Sequence, residues 1–273
     1  MSLVSTHWLN KNIKNVKIID SSWHMPNIGR DALEEYKLNH IPSSIFFDID
    51  QYSNKDTDLP HMLPKKKDWE LIVSSMGIKN EDSIVIYDNS DVISSCRCWF
   101  SFLYFGHNKN LVHVLDGGLK KWKSDNYKTD NKTTDIIKTS YIAYENKDLV
   151  KDINQIKLNI KEETFKIIDG RSLERFNGEV KEPRIDVRSG SIPNSFCVPY
   201  NKLINKDYTF KKKSEINFIF KDIIDDQISN NLVFTCGSGI TACVLALAYS
   251  LINNNYNPKI YDGSWAEYGK ISK

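Results

Sequence analysis

The chain is written twice. Lys17-Ile18-Ile19-Asp20-Ser21-Ser22 returns as Lys166-Ile167-Ile168-Asp169-Gly170-Arg171, and His40-Ile41-Pro42-Ser43-Ser44 returns as Ser191-Ile192-Pro193-Asn194-Ser195. Ser83-Ile84-Val85-Ile86-Tyr87-Asp88-Asn89 lines up with Asn231-Leu232-Val233-Phe234-Thr235-Cys236-Gly237. Val114-Leu115-Asp116-Gly117-Gly118 lines up with Ile260-Tyr261-Asp262-Gly263-Ser264. The offsets all lie near 150 residues. A period this long is a duplicated domain, because solenoid repeats are several times shorter. Whatever one half folds into, the other half must fold into as well.

Each half alternates short Val/Ile-rich runs with longer helical patterns, which points to α/β domains with a largely parallel sheet flanked by helices. One such helix is read over 68–77, closed by Gly77. The polar stretch Lys123–Thr134 has the composition of a linker. The expected organisation is a first domain over 1–124, a linker over 125–142 and a second domain over 143–273.

In sheets of this kind ligands gather at the carboxyl ends of the strands. Leu232-Val233-Phe234-Thr235 reads as a buried strand and Thr241–Tyr249 as a helix, with Cys236-Gly237-Ser238-Gly239-Ile240 between them. This puts a thiol at a helix start, where unpaired amides and the helix dipole favour an anion. Gly237 and Gly239 permit the dihedrals of an anion-binding nest. A thiolate is stabilised there, and the thiolate is the nucleophile. Cys236 is therefore the candidate catalytic residue. The aligned position in the first half is Asp88, read as structural or as the vestige of a lost site. Cys243, on the apolar run of the helix, and Cys197, in a strand, read as buried small hydrophobes. Cys96 and Cys98 read as structural.

The balance of charge excludes some partners. Lys and Arg number 37 against 35 Asp and Glu, which makes no electrostatic case for nucleic acid. No apolar run is long enough to span a membrane. Five cysteines without metal-ligand spacing point to free thiols in a reducing compartment. The expected location is the cytoplasm, with no metal and no organic cofactor.

A tandem α/β repeat with a cysteine loop only in its second half resembles the two-domain rhodanese-like sulfurtransferases. The loop Cys236-Gly237-Ser238-Gly239-Ile240-Thr241-Ala242-Cys243 is similar to that of the 3-mercaptopyruvate sulfurtransferases, whereas thiosulfate-using rhodaneses typically carry Arg-Lys after the cysteine. The resemblance extends to His40-Ile41-Pro42, Phe46-Phe47-Asp48-Ile49-Asp50, His61-Met62-Leu63-Pro64, Asp116-Gly117-Gly118 and Asp262-Gly263-Ser264-Trp265. It implies that Arg175 and Arg184 hold the carboxylate and carbonyl of the substrate. An arginine fork suits a small α-keto acid better than lysine would.

The resemblance also implies a relay of Ser238, His61 and Asp50. His61 lies in a proline-flanked loop, where a structural histidine is the competing reading. Gly237, Gly239, Ile240 and Thr241 would supply the amide cradle for sulfur. The first domain would be non-catalytic. The implied reaction takes sulfur from 3-mercaptopyruvate through a Cys236 persulfide to a thiol such as thioredoxin or a small thiol, or to cyanide. Thiosulfate sulfurtransferase is the alternative enzyme, and a persulfide carrier the non-enzyme alternative. A cysteine phosphatase is disfavoured because the arginine it needs six positions after Cys236 is Ala242.

Overall fold

A computed structural model describes residues 2–224 and 231–271. In the first repeat the elements are β1 (Leu3–Val4), α1 (Thr6–Asn12), β2 (Lys17–Asp20), α2 (Ala32–Leu38), β3 (Ser44–Phe46), α3 (Lys66–Ser75), β4 (Ile84–Tyr87), α4 (Ser95–Tyr104), β5 (Val112–Leu115) and α5 (Gly118–Ser124). In the second they are β6 (Val150–Lys151), α6 (Ile153–Glu162), β7 (Lys166–Asp169), α7 (Leu173–Asn177), β8 (Ser195–Cys197), α8 (Lys213–Ile224), β9 (Leu232–Thr235), α9 (Ile240–Ile252), β10 (Ile260–Tyr261) and α10 (Ser264–Tyr268).

Each repeat builds one five-stranded sheet, ordered β1-β5-β4-β2-β3 in the first and β6-β10-β9-β7-β8 in the second. Every strand pairing within them is parallel. The register repeats too: Asp20 stands opposite Tyr87, and Asp169 opposite Thr235. The two aligned strand ends, before Asp88 and before Cys236, therefore occupy the same place in their sheets. Central strands β4 and β9 are buried along their whole length. This is the pattern of parallel strands covered on both faces, and it explains why they read as unbroken apolar runs.

The cores follow from the same pattern. In the first repeat Ile18, Val85, Tyr87 and Leu115 pack with Leu119 and Trp122 of α5. In the second, Ile156 of α6 packs with Ile167, Val233, Tyr261 and Trp265. Each fully buried aliphatic or aromatic side chain is worth about 1.5–3 kcal/mol of transfer free energy. Helix α3 begins two residues earlier than its pattern indicated and stops at Ser75, and Gly77 follows in the left-handed conformation (φ 67°).

The chain divides into two compact units. One holds the chain to Asn54, Leu63–Asn146 and Lys206–Phe210; the other holds Lys55–Met62, Lys147–Asn205 and Lys211 onward. Each unit thus takes one short segment from the repeat of the other. In the first unit the borrowed segment is pinned by the Phe210 amide, which donates to Asp116 Oδ1 at 2.8 Å. The second unit gains the loop that carries His61. The polar stretch after α5 has almost no regular structure. It follows the first unit through backbone bonds from Asp130 to His40 and from Thr139 to Ser74. His40 is buried and ties the turn before Pro42, with Nδ1 2.6 Å from the Tyr36 carbonyl.

Candidate active site

Cys236 follows β9 directly, and only four residues separate that strand from α9. The turn is possible because Gly239, the residue before the helix, takes φ 82°, a conformation that costs glycine nothing. It aims the Gly239 amide at the cysteine: this N–H donates to Cys236 Sγ at 3.2 Å. The Cys236 amide donates to Ser264 Oγ at 3.3 Å, and the Cys236 carbonyl accepts from Trp265 N at 2.9 Å. The thiol is only 2 % exposed. Ile240 is buried at the first position of α9, and Thr241 lies beside Gly170 at the end of β7. Cys243 is buried one turn on, where its thiol donates to the Gly239 carbonyl at 3.1 Å.

Ser238 Oγ and His61 Nδ1 share a hydrogen bond of 2.9 Å, and both residues are buried. His61 takes φ 60°. A non-glycine residue held there is strained, and such strain gathers at functional sites. Asp50 belongs to the first unit, where it is exposed and its Oδ2 accepts from Trp23 Nε1 at 2.8 Å.

The two arginines arrive from α7 and the loop after it. Ser172 caps α7 by accepting from the Arg175 amide, and Gly178 ends the helix at φ 77°. Arg175 then lies against the cysteine loop: a β-carbon added to Gly237 would stand 3.2 Å from Arg175 Nη2. Glycine at 237 is what lets a guanidinium approach the backbone here. Arg175 is paired with Glu182, Nε to Oε1 at 3.2 Å and Nη2 to Oε2 at 2.5 Å. Burial first, and then the nearby positive charge of Arg175, pull Arg184 below the ordinary arginine range. Cys236 and Glu182 act on it in the opposite sense. A half-buried guanidinium whose charge is opposed by that of a second one favours an added anion.

Three residues around this site carried no role in the sequence reading. Ser264 accepts the Cys236 amide. Its signal was the departure of Asp262-Gly263-Ser264 from the Asp116-Gly117-Gly118 of the first repeat. Arg171, where the first repeat has Ser22, forks onto Asp169 (2.8–3.2 Å) and donates to Glu182 Oε1 at 2.9 Å. Glu182 sits two residues before Arg184, the residue of that stretch to which the resemblance gave a role. One expectation needs correction. Cys197 is in strand β8 but only half-buried, because β8 is the edge of its sheet. Burial nevertheless pushes its thiol up to about 12, so it stays protonated.

Among the described residues no group of three or more His, Cys, Asp or Glu could hold a metal ion, and no helix is long and apolar enough to cross a membrane.

The Rhodanese-like domain family matches the chain twice, over residues 5–125 and 152–270. Thiosulfate/3-mercaptopyruvate sulfurtransferase 1, mitochondrial, of Arabidopsis thaliana is 36% identical over 97% of this chain and 75% of its own length. The human 3-mercaptopyruvate sulfurtransferase is 34% identical over 98% of this chain and 91% of its own. The crystal structure of SseA from Escherichia coli, described as a 3-mercaptopyruvate sulfotransferase of the rhodanese fold, superposes with a TM-score of 0.85. It is 31% identical and the match covers 98% of this chain and 100% of that one. Two matched domains, a sheet order repeated in both and full-length relatives above 30% identity have one reading: the chain belongs to the two-domain rhodanese-like sulfurtransferase family.

Proposed function

We propose that the protein moves sulfur from 3-mercaptopyruvate through a Cys236 persulfide to a thiol acceptor and releases pyruvate. The observation that carries this reading is the Arg175 guanidinium laid against Gly237, next to a cysteine sulfur that accepts from the Gly239 amide. A small donor with a sulfur at one end and a carboxylate at the other matches that pair of features. The human and Arabidopsis relatives are named for this donor.

The Cys236 thiolate attacks the donor sulfur. A sulfur–sulfur bond forms, the carbon–sulfur bond breaks, and its electron pair leaves as the enolate of pyruvate. Arg175 and Arg184 meet the carboxylate and the charge growing on the enolate oxygen. Ser238, hydrogen-bonded to His61, is placed to pass protons. The loop amides of residues 237–241 hold the persulfide. A thiol, such as a small cellular thiol or thioredoxin, then takes the outer sulfur and restores Cys236 in a ping-pong cycle. The nucleophile belongs to the 143–273 domain, and free thiols suit the reducing cytoplasm.

Thiosulfate is the second donor reading, because the Arabidopsis relative is named for both. The test is a paired turnover assay, one arm with 3-mercaptopyruvate and one with thiosulfate, each with a reduced thiol. Cys236→Ser is the control. Cysteine-dependent pyruvate release exceeding thiosulfate turnover is the expected result. Faster thiosulfate turnover makes the protein a rhodanese. Binding of sulfur without turnover in either arm makes it a carrier.

A further inference from the structure

Among the described residues Arg175 is gripped along one edge. A guanidinium carries five donors in one plane, and Glu182 engages the Nε and Nη2 of Arg175 through two separate oxygens. The remaining edge lies over the cysteine loop, where an added Gly237 β-carbon would stand 3.2 Å from Nη2 and 3.8 Å from Nη1. The direction in which Arg175 presents donors is therefore set by the carboxylate behind it.

That carboxylate is itself fixed. The Glu182 side chain is 2% exposed and takes a third charged hydrogen bond, from Arg171 Nη1 at 2.9 Å. Arg171 is anchored in turn by Asp169, by the Gly190 carbonyl at 2.8 Å and by stacking 4.5 Å over the Trp265 ring. A chain of planar, charged contacts thus runs from the core residue Trp265 to the backbone of the cysteine loop.

We propose that Glu182 is a positioning residue for the donor: it aims the free edge of Arg175 at the cysteine loop, where that edge meets the donor carboxylate. This rests on the reading of Arg175 as the donor clamp. Glu182 touches no reacting atom, so its loss acts on binding more than on the chemical step.

The test is a double-mutant cycle in the full chain: wild type, Glu182→Gln, Arg175→Ala and the double variant. Each is assayed with 3-mercaptopyruvate, with pyruvate as a competitive ligand and with the unfolding midpoint recorded. Glu182→Gln keeps the shape and an acceptor but removes the charge. It is expected to raise KM and the pyruvate inhibition constant together by about tenfold, with kcat within about threefold. The double variant is expected to be no weaker than Arg175→Ala alone. An unchanged KM in Glu182→Gln, beside a raised one in Arg175→Ala, overturns the proposal and leaves the clamp standing. An unchanged KM in Arg175→Ala overturns the clamp, and the proposal with it. If Glu182→Gln does not fold, Glu182→Asp takes its place. The shorter arm draws Arg175 back, so a raised KM at unchanged kcat supports the positioning role and a wild-type KM removes it.

Discussion

Asp88 and Cys236 occupy the same strand end in two copies of one sheet, and the loops around them treat a negative group in opposite ways. Seven residues separate β4 from α4, against four between β9 and α9. The longer loop wraps the Asp88 carboxylate, which accepts from the Ser90 amide and the Ser95 amide, both at 2.9 Å. The helix start is thus served by an anion that belongs to the chain. Burial still raises Asp88 above the ordinary carboxylate range, against the pull of these bonds. In the second repeat the tight loop offers an amide to a sulfur instead, with two arginines nearby. What persists in both copies is scaffold: the Leu119 amide donates to the Asp88 carbonyl as the Trp265 amide donates to that of Cys236, each at 2.9 Å. Sheet and closing helix are common property, and the chemistry lies in loop length and in the residue that fills the cradle.

The largest effect expected is from exchanging the two groups. Cys236→Asp with Asp88→Cys should show no sulfur transfer in the paired assay. A single thiol cannot satisfy the two amides arranged around a carboxylate, and no thiol remains at the strand end of the second repeat. Any transfer above the Cys236→Ser background would mean that the strand-end position alone makes an active cysteine.

A second contrast lies one strand over. Asp20 and Asp169 are aligned and buried, but Asp20 is met by Ser22 through its amide and hydroxyl, and Asp169 by the fork of Arg171. Arg171→Ala would strip the buried Asp169 carboxylate of its counter-charge and Glu182 of one of its three charged bonds, and is expected to cost about 3–5 kcal/mol in denaturant unfolding. A loss below about 1 kcal/mol would show that the arginine is not that counter-charge.

The serine-only copy predicts a pH dependence. Burial lifts Asp20 to about 6 despite its bonds to Ser22 and Tyr87. The folded chain then keeps a proton that the unfolded chain has already lost. This contribution to stability is complete below about pH 4 and disappears as pH rises to about 6. Asp20→Asn should match wild type at low pH and exceed it at pH 7.5 by about 2–3 kcal/mol. Urea unfolding at the two pH values checks this, and an equal difference at both would remove the cause. Asp169→Asn should instead destabilise at neutral pH, because Arg171 loses its carboxylate.

How much of this was legible depends on how local each cause is. Strand β9 matched its pattern residue for residue, because burial on both faces leaves an unbroken apolar run. The Cys236 loop was legible because its two glycines sit between a strand and a helix. The grip on Arg175 was not, since Glu182, which holds it, and Arg171, which holds Glu182, come from separate turns through side-chain geometry that no spacing encodes. The exchange of short segments between the two units was equally hidden. Nothing in Lys55–Met62 or Lys206–Phe210 distinguishes a loop that packs with its own repeat from one that packs with the other.

Ser264 yields the smallest effect and the most specific one. It takes φ 51°, and its aligned partner Gly118 takes φ 54°. Both positions want glycine. At Gly118 a β-carbon would come 2.3 Å from the Asp88 carbonyl, so the first repeat has no choice. The second repeat accepts a strained serine, and its Oγ takes the Cys236 amide while donating to the Tyr261 carbonyl at 2.9 Å. Ser264→Gly should relieve about 1–2 kcal/mol of backbone strain and forfeit two hydrogen bonds of about 1 kcal/mol each, leaving the unfolding midpoint nearly unchanged. Turnover should nonetheless fall severalfold, since the Cys236 amide loses the acceptor that fixes the start of the loop. Stability gained at full activity would mean that the serine only fills space. Activity lost at constant stability would mark the serine, absent from the silent repeat, as part of what holds the active cysteine in place.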